Sequence, residues 1–268
     1  MKVIVSHDVD HLYPGDHCRD LYYPKLWVRS FVELVRGQIR FRVFWNRLLS
    51  VFDQRINRLP EICAFDKENG VRSTFFFGMA HALGMSYNQD KALPWIRFVK
   101  EQGYDAGVHG CDYLTLDGIQ KEHDDFAQLT GLDAFGIRNH YVRYDEDTFR
   151  KMDQAGYLFD TTEFNKEKPT YKAPYPVGNM WEFPLAIMDG YVLHHDLQKA
   201  QQTVVDFIRQ TAQADGQYVT ILFHDCFYDE KCYPQEKAFY EWLIKYIKSL
   251  HLEFVSYQDA IKELENGR

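Results

Sequence analysis

Stretches of strand character and stretches of helix character alternate from one end of this 268-residue chain to the other, and no feature constrains its fold more. Short apolar, β-branched or aromatic runs at 2–11, 70–77, 105–109, 135–138, 157–160, 181–185, 218–224 and 253–255 read as strands. Between them, apolar residues recur at helical spacing around 59–68, 90–102, 117–130, 145–155, 197–214 and 234–250. Gly103, Gly131, Gly156 and Gly216 fall where such helices should stop. Strict alternation implies a mostly parallel sheet with crossover helices, closed or nearly closed. No repeat and no linker divides the sequence, so one domain over 1–268 is expected.

In barrels of this kind the chemistry sits at the C-terminal ends of the strands. Asp8 and Asp10, His109, Arg138, Asp160, Glu182, and His224 with Asp225 all fall at such ends. The first strand is the most informative. Side chains alternate along a strand, so Asp8 and Asp10 share one face while His7, Val9 and His11 share the other. Two carboxylates on one face call for a cation, a proton or an arginine between them. His7 reads as structural. His11, where the strand should be ending, is free to turn back, and His140, two residues beyond Arg138, is placed to line a cleft. The string His194-His195-Asp196 reads as a loop or helix start, since consecutive residues diverge in direction.

A net charge of −8 argues against nucleic-acid binding. Five scattered cysteines with no Cys-x-x-Cys pair read as reduced thiols. No stretch is apolar for long enough to span a bilayer. The chain begins on a strand-like run without a signal-peptide pattern, so a cytoplasmic protein is expected, with the inner face of the membrane as a further expectation. Residues 25–58 differ from the rest: Lys25, Arg29, Arg36, Arg40, Arg42, Arg47, Arg55 and Arg58 face only Glu33 and Asp53. Helical spacing predicts two amphipathic helices broken near Gly37. They are either a helical insert with a solvated basic face or a surface for an anionic substrate or peripheral membrane contact.

The ordered set Ser6-His7-Asp8-Val9-Asp10, Ser73-Thr74-Phe75-Phe76-Phe77, Gly107-Val108-His109-Gly110, Gly136-Ile137-Arg138-Asn139-His140-Tyr141, Trp181-Glu182-Phe183-Pro184-Leu185 and Leu222-Phe223-His224-Asp225 resembles the polysaccharide deacetylase superfamily (NodB homology, carbohydrate esterase family 4). The insert after the first motif and the Arg-Asn-His-Tyr form of the third are most similar to its WbmS-like branch of surface-glycan biosynthesis. The resemblance implies an α/β fold, a distorted (β/α)7 barrel with the helical insert after its first strand. It also implies one divalent metal, usually zinc, and removal of acetyl groups from sugars. By resemblance Asp8 is the catalytic base, Arg138 its partner, His224 the general acid, and Asp10 and His109 metal ligands. The second histidine of the family's His-x-x-x-His motif is absent, because Tyr113 stands there. Asp112 is the favoured replacement, with Cys111 or a water as alternatives, which leaves the metal's identity open. Asp160 and, less readily, Asp225 are the candidates to orient His224.

The expected substrate is therefore an N-acetylated sugar, nucleotide-linked or lipid-linked, with no nucleic-acid partner and no oligomeric state implied. Two other readings stand beside it: a binding or regulatory protein that has lost its metal, and hydrolysis of a different C–N or ester bond.

Overall fold

The structure is a computed structural model that describes residues 1–18, 20–194 and 196–267. His195 of the His194-His195-Asp196 string lies outside the described residues. The chain begins with β1 (Lys2–Val9), α1 (Tyr22–Val35), α2 (Phe41–Leu49), α3 (Leu59–Asn69) and β2 (Thr74–Gly78). It continues through α4 (Gln89–Glu101), β3 (Asp105–Gly110), α5 (Leu116–Thr130), β4 (Gly136–Asn139), α6 (Thr148–Ala155) and β5 (Phe159–Asp160). The last part holds β6 (Tyr175–Val177), β7 (Met180–Glu182), β8 (Ile187–Met188), α7 (Asp189–Val192), α8 (Leu197–Gln213), β9 (Tyr218–Leu222), α9 (Pro234–Ser249), β10 (Glu253–Phe254) and α10 (Tyr257–Asn266). No helix among the described residues is long and apolar enough to cross a membrane.

The strands form one sheet in the order β6-β7-β5-β4-β3-β2-β1-β9-β8, parallel except where β6 meets β7. Short β10 pairs with the first residues of β1, and β2 takes over on that side from Ser6 onward. The mostly parallel sheet therefore stands as expected, with ten strands among the described residues where the resemblance implies seven. Two of the additions, β6 and β8, are too short, or too proline-rich, to carry a period-2 signal.

Closure is covalent. β7 pairs with β5 and β8 pairs with β9, and the chain runs directly from one to the other. On the way the Phe183 N–H donates to the Asp160 carbonyl at 2.8 Å, Leu185 to Glu163 at 2.7 Å and Ala186 to Thr220 at 3.2 Å. One segment thus carries the sheet's two sides, and a regular ladder between β7 and β8 is not needed.

Strand alternation sorts the core into two. Val3, Val5, Val9, Phe75 and Phe77 face outward into the layer under the helices. Ile4, Phe76, Phe159, Trp181, Phe183 and Tyr257 point inward and fill the barrel floor. Room for those rings comes from two glycines: a Cβ on Gly107 would meet Phe76, and one on Gly136 would overlap the Phe159 ring. The insert's two helices are tied together and to the barrel by Arg47. It is buried against Glu33, donates to the Cys232 carbonyl at 2.7 Å, and lies 4.5 Å over the Tyr233 ring. The expected basic face therefore loses Arg47, which is an internal anchor.

Gly136→Ala forces a methyl into the Phe159 ring, and overpacking of this kind destabilises by about 1–3 kcal/mol. Urea unfolding should show a lower midpoint with an unchanged slope. An unaltered midpoint would mean that the floor can relax.

Candidate active site

The strand ends converge above the aromatic floor. Arg138, fully buried on β4, spreads its donors across the neck. Nε donates to the Thr161 carbonyl at 3.1 Å, Nη1 to Asp8 Oδ1 at 2.9 Å, and Nη2 to Ser6 Oγ at 2.7 Å and to the Tyr257 hydroxyl at 3.2 Å. Asp8 is thus held by one oxygen. The other, Oδ2, faces His109 Nε2 at 3.7 Å.

Asp10, His109 and His140 form a group whose ligand atoms all lie within 4.8 Å of one another. His109 Nε2 is 3.1 Å from Asp10 Oδ1 and 3.0 Å from His140 Nδ1, and His140 Nδ1 is 3.4 Å from Asp10 Oδ1. The second ring nitrogens settle the tautomers. His109 Nδ1 meets the Arg138 carbonyl at 3.0 Å and His140 Nε2 meets the Leu83 carbonyl at 2.9 Å. A carbonyl only accepts, so both of those nitrogens carry protons. In the neutral rings the facing nitrogens then present lone pairs to each other and to Asp10 Oδ1. That oxygen is buried without a hydrogen-bond partner.

Three lone pairs aimed at one point fit a cation. A tetrahedral ion with bonds of about 2.0–2.1 Å sets its ligand atoms roughly 3.3 Å apart, close to what these residues offer. The two carbonyls also supply the outer hydrogen bonds that orient metal-binding imidazoles. A proton is the competitor. Burial pushes the Asp10 carboxyl up, but the facing imidazoles outweigh it and hold the group well below the ordinary range. Burial likewise opposes a charge on His140, and Asp10 raises that ring above its usual value all the same.

Asp112 is not brought into this group. Both oxygens of buried Glu122 accept from the Cys111 N–H, and one also accepts from Asp112. This turns the chain toward α5. Asp112 then accepts from the Leu114 and Thr115 amides and from the Thr115 hydroxyl, all local contacts before that helix. The Cys111 thiol donates to the Ala80 carbonyl, and burial pushes its pKa up, away from a thiolate. The third donor is instead His140, which the sequence reading places only along the cleft. The backbone just beyond it is unusual: Tyr141 and Val142 have φ of +59° and +48°. A β-branched residue rarely adopts this region, which is strained by about 1–3 kcal/mol per residue.

His224 faces the other oxygen of Asp10, Oδ2, at 3.8 Å. Its partner is Asp189, at the start of α7. Asp189 lies 2.9 Å from the ring Nδ1 and accepts from the His224 amide at 2.7 Å. Burial lowers the pKa of His224, Asp189 and Asp10 raise it more, and the ring ends at about 10. Neither expected orienting acid does this work. Asp225 accepts from the Arg58 amide on the far side. Asp160 lies opposite Glu182, where burial and then the neighbouring Asp160 charge push the Glu182 carboxyl well up, so the pair shares a proton. Asp189 has no motif to announce it, being a lone acid after an apolar pair.

His7 lies outside the barrel, with Nδ1 on the Phe223 carbonyl at 2.8 Å and Nε2 on Asp66 at 3.1 Å. His11 borders the cleft, 3.2 Å from His17, and burial drops its pKa to about 3. A cleft of about 320 Å³ opens over Asp10, His140 and His224, with Tyr22, Lys25 and Arg29 of α1 on its other wall.

No protein-family model matches the sequence, and no curated protein matches it. Solved structures do match. A protein from Mycobacterium smegmatis described as a polysaccharide deacetylase is similar at a TM-score of 0.61 and 16% identity, over 98% of this chain and 88% of that one. An allantoinase, PuuE, is similar at 0.57 and 14%, over 96% and 87%. A carbohydrate esterase family 4 pseudoenzyme from Bacillus anthracis is similar at 0.52 and 10%, over 96% and 64%. The chain therefore has the NodB-like barrel of the polysaccharide deacetylases.

His140→Ala should weaken zinc binding by about 100-fold or more, whereas Asp112→Ala should leave it unchanged. Titration calorimetry of metal-stripped protein reads both, and the reverse order would return the third donor to Asp112.

Proposed function

We propose that this protein is a metal-dependent hydrolase that removes the acetyl group from an N-acetylated sugar during assembly of a surface glycan. The observation that carries the reading is the convergence of the Asp10, His109 and His140 lone pairs between two acid–base pairs, Asp8 with Arg138 and His224 with Asp189. Asp10, His109 and His140 would hold a divalent cation, zinc being the simplest fit to a carboxylate and two imidazoles. When bound, it supplies a Lewis acid beside the acetyl carbonyl and makes a neighbouring water more acidic.

The protein's own groups do the rest. Asp8 keeps Oδ2 free to accept the proton of the attacking water, because Oδ1 is tied to Arg138. The same ion pair prevents Asp8 from swinging away. His224 donates its proton to the departing amine, and Asp189 fixes its ring and keeps that proton in place before it is needed. The apolar floor below Arg138 excludes water from beneath the site.

A carbohydrate-binding protein without metal is the weaker reading, because His140 supplies the donor that the Tyr113 position lacks. The sugar is proposed from the name of the Mycobacterium smegmatis neighbour. The allantoinase neighbour makes a non-sugar amide the natural control.

Purified protein loaded with zinc should release acetate from UDP-N-acetylglucosamine or N-acetylated oligosaccharides, and chelation should abolish the release. Asp8→Asn and His224→Ala should each lower kcat by at least about 100-fold. No acetate from any N-acetylated sugar with metal bound would sink the proposal, and turnover of allantoin alone would redirect it.

Asp189 makes a pH-dependent contribution. The folded pKa of His224 lies above its unfolded value near 6.5, so the stabilisation is complete below that pH and is lost as pH rises through about 10. Asp189→Asn should therefore move the alkaline limb of kcat down by more than one pH unit. The stability gap from wild type should be widest in acid and narrow toward pH 10. A limb that stays in place would mean that another group donates the proton.

A further inference from the structure

The insert has an apolar face that none of the described residues covers. Val28, Phe31 and Val35 of α1 follow one another at helical spacing, and each is more than half exposed. Phe41 and Trp45 of α2 are exposed to the same degree. The two stripes are continuous, because Phe44 stands 6.4 Å from Phe31 and 6.2 Å from Phe41, and Phe41 stacks on Trp45. Isolated exposed apolar residues are ordinary, but a joined aromatic face on adjacent helices marks a contact surface.

Charge identifies what it contacts. Arg36 closes α1, Arg40 precedes α2 and Arg42 lies within it; all three are exposed and make no ion pair among the described residues. This basic rim belongs to a chain of net charge −8, so it is a local feature and not a general property of the surface. A second copy of the chain would bring the same cations face to face. Exposed aromatics ringed by arginine suit the boundary between headgroups and acyl chains of an anionic bilayer.

We infer that the α1–α2 insert is a docking surface for an anionic lipid membrane. Arg47, by fixing both helices to the barrel, makes the surface rigid. A flanking side of α1 lines the cleft through Tyr22, Lys25 and Arg29, so docking sets the cleft mouth beside the headgroups. The inference is independent of the proposed reaction, and its test needs neither metal nor substrate.

The full-length protein should co-sediment with vesicles of phosphatidylglycerol and phosphatidylcholine, far less with phosphatidylcholine alone, and less as salt rises. Arg36→Glu, Arg40→Glu and Arg42→Glu together should weaken this at least about tenfold. Phe31→Ser with Trp45→Ser should do the same. Trp45→Phe should remove most of the blue shift in fluorescence on vesicle addition. The charge-reversed protein, altered only at exposed positions, keeps the test sharp should the apolar variant fold poorly. Wild-type protein left in the supernatant at low salt would overturn the inference. So would binding that both sets of substitutions leave unchanged, or a stable dimer that the Phe31 and Trp45 changes dissociate while no vesicle is bound.

Discussion

The buried ion pair between Arg138 and Asp8 is the contact on which the barrel and its site both depend. A guanidinium with no access to water is tolerable only if its donors are used and its charge is answered. Here they are used by a strand, a loop and a helix: Asp8 and Ser6 on β1, Thr161 after β5, and Tyr257 at the start of α10. The guanidinium also lies 4.7 Å over the Phe76 ring, so it caps the aromatic floor while reaching up to Asp8. Removing it would strand a buried carboxylate and unfasten three parts of the fold together.

Above that pair, each ionisable group of the site is matched by a neighbour that limits what it can do. Backbone carbonyls hold the protons of His109 and His140 on the outer nitrogens, Asp189 holds that of His224, and Arg138 takes one oxygen of Asp8. The result is a cleft floor in which groups are sorted by position: the Asp8 carboxylate on one side, the His224 ring on the other, and the converging ligand atoms of Asp10, His109 and His140 between them. The strained turn at Tyr141 and Val142 belongs to the same logic, since it follows directly from holding His140 over the end of β3.

The alternation of strands and helices was legible because apolar periodicity is a local property. The faces of β1 followed in the same way, with Asp8 turned inward and His7 outward. The third donor was not legible, because it depends on where a turn sends the chain. Asp112 is near His109 in sequence, but the Glu122 carboxylate eleven residues beyond Cys111 draws the backbone away. His140 is distant in sequence but arrives through the pairing of β3 with β4, which sets His109 opposite Arg138. Asp189 was hidden for a similar reason: it reaches His224 only because β8 pairs with β9. The basic character of the insert was plain in composition, but helix spacing alone could not show that Arg47 points inward.

The pairing of β1 with β9 and β10 has a consequence for how the protein is made. On the ribosome β1 emerges before the other strands of this sheet, but its partner β9 follows more than two hundred residues later, and β10 later still. Until then the nascent sheet is an open ribbon. One edge of β1 is unpaired, Asp8 has not reached its final burial, and Ser6 has not met the hydroxyl of Tyr257. Such long-range pairing slows folding and prolongs the exposure of unpaired strand edges. The earliest strand of the sheet is therefore among the last to be completed, and the buried network around Arg138 closes only when α10 brings in Tyr257.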